Sequence, residues 1–171
     1  DDIEDDSELR RGKPCLHKMI GPELAINVGD GVYAKVFEAI LLKKDELGNE
    51  KALKLIKEML DLTYRTMQGQ HIEISWMVKN KFDQTFDDYY FMAEHKTAWY
   101  SACYPIRMGA ICAGASDEEI EKITEWGVPF GLAFQIQDDW LNLAGDEAKY
   151  GKEIGGDILE GKRTLMLIHL L

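Results

Sequence analysis

Apolar residues recur at helical spacing along most of the chain. Leu24, Val28, Val32, Val36 and Ile40 stand four residues apart. They predict a helix that opens near Gly21-Pro22-Glu23, where Pro fits the first turn without losing an internal hydrogen bond, and their stripe is expected to be buried. Residues 43–48 supply a polar stop. Leu53, Ile56, Leu60, Tyr64, Met67, Ile74 and Met77 then carry the same period through a second long helix, with Gly69 permitting close packing or a bend. Residues 82–90 are aromatic and acidic and predict a turn followed by a helix start. The apolar stretch 97–112 is interrupted by Pro105, which allows two short helices or one kinked helix. Ser116 and Glu119 have the spacing of a capping box, so a helix begins there. It is expected to break around Gly127-Val128-Pro129 and to resume as far as Leu143.

Glycines at 145, 151, 155, 156 and 161 make the next segment polar and flexible, ahead of a final apolar run at 165–171. Residues 7–14, with Gly12, read as a change of backbone direction. No interdomain linker or fixed-period repeat is visible. The expectation is a single all-α domain, 1–171, incomplete at both ends.

Composition supports helices. The chain has 171 residues, 46% of them hydrophobic, and only four Pro, enough apolar material for one substantial core. Its formal net charge of −11 argues against a nucleic-acid surface, which needs a basic stripe to release counterions. Small anionic substrates remain compatible, because a divalent cation inverts the local sign where carboxylates cluster. Cys15, Cys103 and Cys112 form no C-x-x-C pair and predict reduced thiols in a cytoplasmic protein. No apolar run is long enough to span a membrane.

Two acidic clusters carry the chemistry. Asp1, Asp2 and Asp5 form D-D-x-x-D, and on a helix these offsets fall at roughly 0, 100 and 40 degrees, one face of the axis. Asp138, Asp139 and Asn142 repeat the spacing inside the otherwise apolar helix around Phe134. Adjacent carboxylates there lack a structural explanation, because unpaired buried charge is costly. Hard Mg²⁺ ions take oxygen ligands and bridge carboxylates to phosphate oxygens. The four His are scattered and make no zinc array.

At these residues the chain resembles the trans-isoprenyl (polyprenyl) diphosphate synthase family, whose members include geranylgeranyl and farnesyl diphosphate synthases. D-D-I-E-D-D-S-E-L-R-R-G at 1–12 resembles the first Asp-rich motif with its Arg pair. F-Q-I-Q-D-D-W-L-N at 134–142 resembles the second. G-Q-H-I-E-I at 69–74, H-K-T at 95–97 and G-K-E-I-G-G-D-I-L-E-G-K-R-T at 151–164 fall in the family's order. The resemblance implies an isoprenoid-synthase-type helical bundle around a central cavity, with two carboxylate walls facing across it. Metal ligands would be Asp1, Asp2, Asp5, Asp138, Asp139 and Asn142. Asn142 departs from the family's Asp, although its carbonyl oxygen can accept a hydrogen bond or ligate weakly. Three Mg²⁺ ions are implied, with Mn²⁺ as a substitute.

The resemblance also assigns the substrate contacts. Arg10 matches the allylic-diphosphate Arg and Arg11 the homoallylic one, as suits a side chain that addresses phosphate bidentately. Lys96 would hold diphosphate, Thr97 and Gln135 would orient the reacting ends, and Phe134 would lie beside the homoallylic chain. Lys152 and Lys162 match later family lysines, while Gln70 is a supporting residue. The implied reaction condenses isopentenyl diphosphate with an allylic prenyl diphosphate and releases diphosphate. The allylic C–O bond breaks, the cation meets the homoallylic double bond, and a proton leaves to the released diphosphate. Product length is expected to depend on residues upstream of Asp1, with Met19 and positions 24–36 as further candidates. A homodimer is implied by the family. A terpene cyclase shares the acidic magnesium motif, and an inactive regulatory subunit shares the fold. Labelled substrates with magnesium separate the three by elongation, cyclisation, or binding without product.

Overall fold

The computed structural model describes residues 2–146 and 154–171. Asp1 and residues 147–153, which include Lys152, lie outside the described residues. The chain divides into two compact units, Asp1–Ala52 and Leu53–Leu171. Among the described residues it is all-α apart from one minimal hairpin.

In the first unit, residues 2–6 form a turn rather than a helix. The Ser7 N–H donates to the Asp2 carbonyl (2.9 Å), and Asp6 takes a positive φ of 48°. A left-handed residue ends any right-handed helix, and Asp2 and Asp5 lie in this turn rather than on a helix. Strands β1 (Leu9–Arg10) and β2 (Lys13–Pro14) pair antiparallel, with Arg10 opposite Lys13. Arg11 (φ 53°) and Gly12 (φ 76°) fill the two-residue loop, the backbone that a tight hairpin between right-twisted strands requires. This is the change of direction expected at residues 7–14.

Helix α1 (Leu16–Ile20) stops at Gly21, and Pro22 opens α2 (Pro22–Leu42). The expected buried stripe of α2 is not buried. Leu24, Val28 and Val32 are exposed, Val36 and Ile40 are half-buried, and Ala25 alone is buried. Within its unit α2 packs against α1 and α3 (Lys44–Leu47). These short helices cannot cover a stripe running along a 21-residue helix. Periodicity marks an apolar face without supplying its cover.

Helix α4 (Asn49–Val78) is continuous, as its period predicts. Of its predicted stripe Leu53, Leu60, Tyr64 and Met67 are exposed, while Ile56, Ile74 and Met77 are half-buried. Leu55, Leu62, Gly69 and Glu73 are buried instead, with Met59 packed beside Leu62. Helix α5 (Phe86–Ala93) starts at Thr85, whose hydroxyl accepts from the Asp88 N–H while Asp88 accepts from the Thr85 N–H.

A π-helical segment, Glu94–Cys103, then leads directly into α6 (Tyr104–Ala113). Pro105 lies in the first turn of α6, where its missing N–H costs nothing. The bend expected at Pro105 is therefore a change of helix type. Helix α7 (Asp117–Ala144) has the expected Ser116–Glu119 capping box, but it runs unbroken through Pro129. Its glycines explain why. A Cβ on Gly131 would stand 2.4 Å from Ala98 Cα, and one on Gly127 would stand 2.8 Å from Cys103 Sγ. The helix keeps its course because this close contact with the π-helical segment offsets one lost backbone bond, while Pro129 faces solvent.

Arg107 ties α6 to its neighbours. Its guanidinium donates to both oxygens of Glu58 (2.7 and 2.9 Å), to Glu121 (3.0 Å) and to Thr124 (2.9 Å). After α8 (Gly156–Glu160), buried Arg163 donates to the Lys81 carbonyl (2.6 Å) and lies 4.0 Å above the Phe82 ring. Helix α9 (Leu165–Leu170) closes the described chain. None of the three cysteines is in a disulfide; Cys15 and Cys103 are buried and Cys112 is exposed.

The glycine contact sets up a pair of opposed outcomes. Gly131→Ala is expected to destabilise by about 2 kcal/mol through overpacking. Gly109→Ala, at a helix position with nothing within 4 Å of the new Cβ, is expected to stabilise by about 0.5–1 kcal/mol. Chemical denaturation followed by circular dichroism measures both.

Candidate active site

Lys96 and Thr97 are carried by the π-helical segment, which packs between α4 and α7. On the α4 side Gly69 makes room, since a Cβ there would stand 2.3 Å from the Lys96 backbone nitrogen. The Lys96 ammonium is held by Glu73, one helical turn beyond Gly69. On the α7 side the buried Thr97 hydroxyl donates to Gln135 Oε1 (2.5 Å). Gln135 Nε2 in turn donates to Asp139 Oδ1 (2.6 Å), a contact made by their i, i+4 spacing. The other Asp139 oxygen accepts from the Tyr89 hydroxyl (2.6 Å) on α5. Thr97, Gln135, Asp139 and Tyr89 thus form one chain of hydrogen bonds across three elements.

Asp138 is half-buried beside this chain, whereas Asp139 and Asn142 are buried. Asn142 Oδ1 accepts from the Asp157 N–H (3.1 Å), and its backbone carbonyl accepts from Gly155 (2.7 Å). It holds the start of α8 against α7. Lys162 pairs with Glu160 (2.5 Å) and Asp157 (3.5 Å). Phe134 is exposed.

Burial pushes the Asp139 carboxyl up to about 6, against the hydrogen bonds from Tyr89 and Gln135 that favour its charged form, and the charges of Asp157 and Asp138 raise it further. Asp157 is also raised, chiefly by burial, with Asp138 contributing. The Tyr89 hydroxyl is pushed far up by burial and then by the Asp139 charge, so it stays a donor. The charge of Asp138 thus adds to burial at both Asp139 and Asp157, while Lys162 beside Asp157 opposes it.

The first acidic set belongs to the first unit. Arg10 Nε lies 2.8 Å from both Asp2 oxygens, and its Nη2 lies 2.7 Å from Oδ1. The hydrogen bond from Arg10 holds the Asp2 carboxyl below its usual range. Asp5 is half-buried, and Arg11 is exposed at the hairpin tip. Among the described residues, no three His, Cys, Asp or Glu side chains are grouped so that they could hold a metal ion.

The family model for polyprenyl synthetases matches residues 1–171, the whole chain. The chain belongs to the polyprenyl synthetase family. A short chain isoprenyl diphosphate synthase of Methanocaldococcus jannaschii is 39% identical over 171 residues, covering 100% of this chain and 50% of that protein. The geranylgeranyl pyrophosphate synthetase structure from Pyrococcus horikoshii superposes with a TM-score of 0.85 at 36% identity, over 98% of this chain and 50% of that one. A geranylgeranyl pyrophosphate synthase from Corynebacterium glutamicum, solved with isoprenyl diphosphate and magnesium, gives 0.85 at 30% identity, over 98% and 50%. The all-helical polyprenyl synthetase fold expected from the motifs is thereby shown. This chain spans about half the length of the relatives it matches.

Two residues that organise this cluster carry no signal of their own in the sequence. Glu73 follows the G-Q signature by three residues, and its burial opposite Lys96 required the fold. Tyr89 sits among Phe86, Tyr90 and Phe91, where nothing local distinguishes it. Removing one member of a mostly buried ion pair leaves its partner uncompensated. Glu73→Leu is therefore expected to destabilise by about 2–3 kcal/mol, and Lys96→Met on that background is expected to restore about 1 kcal/mol or more. Urea denaturation of the single and double variants measures this coupling.

Proposed function

We propose that this chain carries catalytic machinery of a magnesium-dependent prenyltransferase, which condenses isopentenyl diphosphate with an allylic prenyl diphosphate to give a trans-polyprenyl diphosphate. The observation that carries this reading is the hydrogen-bonded line of Thr97 and Gln135 next to the second acidic motif, with Lys96 on the same π-helical segment. It supplies orienting dipoles, a phosphate-binding cation and carboxylates within one unit.

The donor set fits a hard divalent cation. Asp138 and Asp139 offer adjacent carboxylates on α7, each side chain adding to the charge the other sees, which a divalent cation would offset. Magnesium is ordinarily held by one or two carboxylates together with substrate phosphates, so a full protein cage is not required. By the family resemblance Asp1, Asp2, Asp5, Asp138, Asp139 and Asn142 would hold it; within the second motif Asp138 is the half-buried carboxylate, while the Asp139 oxygens already accept from Tyr89 and Gln135 and would share those donors with the ion. Three ions, with Mn²⁺ as a substitute, complete the reading. When bound, magnesium would neutralise charge on the departing diphosphate.

The chain's own residues do the rest. Lys96 moves from Glu73 toward the allylic diphosphate, and Arg10 exchanges Asp2 for phosphate oxygens. Arg11 and Lys152 add further diphosphate contacts, and Lys162 stands beside Asp157 at the rim. As the C–O bond breaks, Thr97 and Gln135 present fixed dipoles to the reacting carbons, preorganised before substrate arrives. The homoallylic double bond attacks, and its proton leaves to the released diphosphate. Phe134 flanks the homoallylic chain and excludes water, which would trap the cation as an alcohol. Among the described residues no helix is long and apolar enough to cross a membrane. A cytoplasmic homodimer is part of the proposal, supported by the apolar side chains left exposed on α2.

Purified protein incubated with magnesium, labelled isopentenyl diphosphate and dimethylallyl, geranyl or farnesyl diphosphate is expected to yield products longer by five-carbon steps. Cyclic hydrocarbon, or binding without product, would overturn the reading. Asp138→Ala is expected to lower turnover by several kcal/mol in barrier, roughly a hundredfold or more, with unchanged helix content. Steady-state titration is expected to show Arg11→Ala raising KM for isopentenyl diphosphate and Arg10→Ala raising KM for the allylic substrate. Equal effects on both substrates would remove that division.

A further inference from the structure

We infer that Tyr89 is a positioning residue for prenyl transfer: through Asp139 it locks the amide of Gln135, and thereby the hydroxyl of Thr97, in one orientation. The inference rests on the proposed prenyltransfer, but the geometry behind it is independent of any bound group. Tyr89 is 1% exposed, and its ring packs in an apolar cluster with Met92, Ala93 and Ile136. Its hydroxyl reaches out of that cluster to Asp139 Oδ2 (2.6 Å). Asp139 Oδ1 is taken by Gln135 Nε2 (2.6 Å), and Gln135 Oε1 by Thr97 (2.5 Å).

An isolated Gln amide is symmetric in shape and can turn over, exchanging its carbonyl for its NH2 group. Here the carboxylate of Asp139 accepts only, so Gln135 must present its NH2 to it and its carbonyl to Thr97. The Thr97 hydroxyl, being the donor in that bond, keeps its lone pairs toward the substrate side. Each dipole in the line is set by the one before it, and Tyr89 is the last member, anchored in the core. Asp139 thus differs in role from its neighbour Asp138: both of its oxygens are already engaged by protein donors. Burial of an acceptor with two matched donors fixes a rotamer that an exposed carboxylate would not keep.

Tyr89→Phe keeps the ring in its cluster and removes only the hydroxyl. In the purified protein with magnesium and both diphosphates, kcat is expected to fall roughly tenfold while each KM stays within about twofold, the pattern of lost transition-state alignment. The Gln135 side-chain amide in a ¹⁵N-labelled sample is expected to shift and to exchange faster with solvent. On a Gln135→Ala background, Tyr89→Phe is expected to cost nothing further in kcat, because residues acting through one another are not additive. A wild-type kcat with an unmoved Gln135 amide would overturn the inference, and so would a fully additive loss in the double variant. If Tyr89→Phe does not fold, the wild-type protein still decides: rapid solvent exchange of the Gln135 side-chain amide, as for an unanchored amide, would overturn the inference. Wild-type protein that makes no elongated product would sink the prenyltransfer reading, while the Gln135 amide comparison would still decide the relay.

Discussion

The close crossing of the π-helical segment against α4 and α7 is the constraint on which the second unit depends. Three glycines make it possible: Gly69 opposite the Lys96 backbone, Gly127 opposite Cys103 and Gly131 opposite Ala98. Any Cβ at these positions would fall inside van der Waals contact, so the backbones approach as closely as the chain allows. At that distance short side chains reach across. Thr97 can meet Gln135 directly, and Glu73 can meet Lys96, because no larger side chain holds the helices apart. The widened π-helical turn belongs to the same arrangement, and such turns gather at functional sites.

Close packing also creates the electrostatic problem that the site solves. Asp139, Asn142, Glu73, Arg107 and Arg163 are all buried, and each has a partner of matching polarity. Arg107 with Glu58 and Arg163 with the Lys81 carbonyl serve the architecture alone. Lys96 with Glu73, and the line from Tyr89 to Thr97, use the same devices at the proposed site. A network whose members are all satisfied is rigid. Lys96 with Glu73 and Arg10 with Asp2 are cations already paired within the chain.

Much of this was legible in the chain before folding was considered. Continuous helical periodicity implied α4. The Ser116–Glu119 spacing implied the start of α7, and the pair of acidic motifs with K-T and F-Q implied the family that the whole-chain match establishes. Burial was far less legible. The apolar stripe of α2 is exposed or half-buried, and so is the stripe read along α4, whose fully buried face is formed by other residues. Periodicity reports which residues share a face, and which face is covered depends on what packs there. Pro129 misled for a similar reason: local rules price its lost hydrogen bond but not the glycine contacts on either side of it.

What the sequence determined by itself was the course of most of the long helices, the acidic, basic and amide groups available, and their order, because those follow from local spacing and side-chain chemistry. Only the tertiary structure decided which of these groups meet. Tyr89 and Asp139 are 50 residues apart, Thr97 and Gln135 are 38 apart, and Glu73 and Lys96 are 23 apart. No local rule relates such positions. It also decided that Asn142 braces α8 and that residues 2–6 turn rather than wind into a helix, since each outcome depends on a backbone partner or a left-handed residue that composition does not announce. Hydrogen bonds are short-ranged and directional, so the pairing of distant residues is set by where the packed backbones place them.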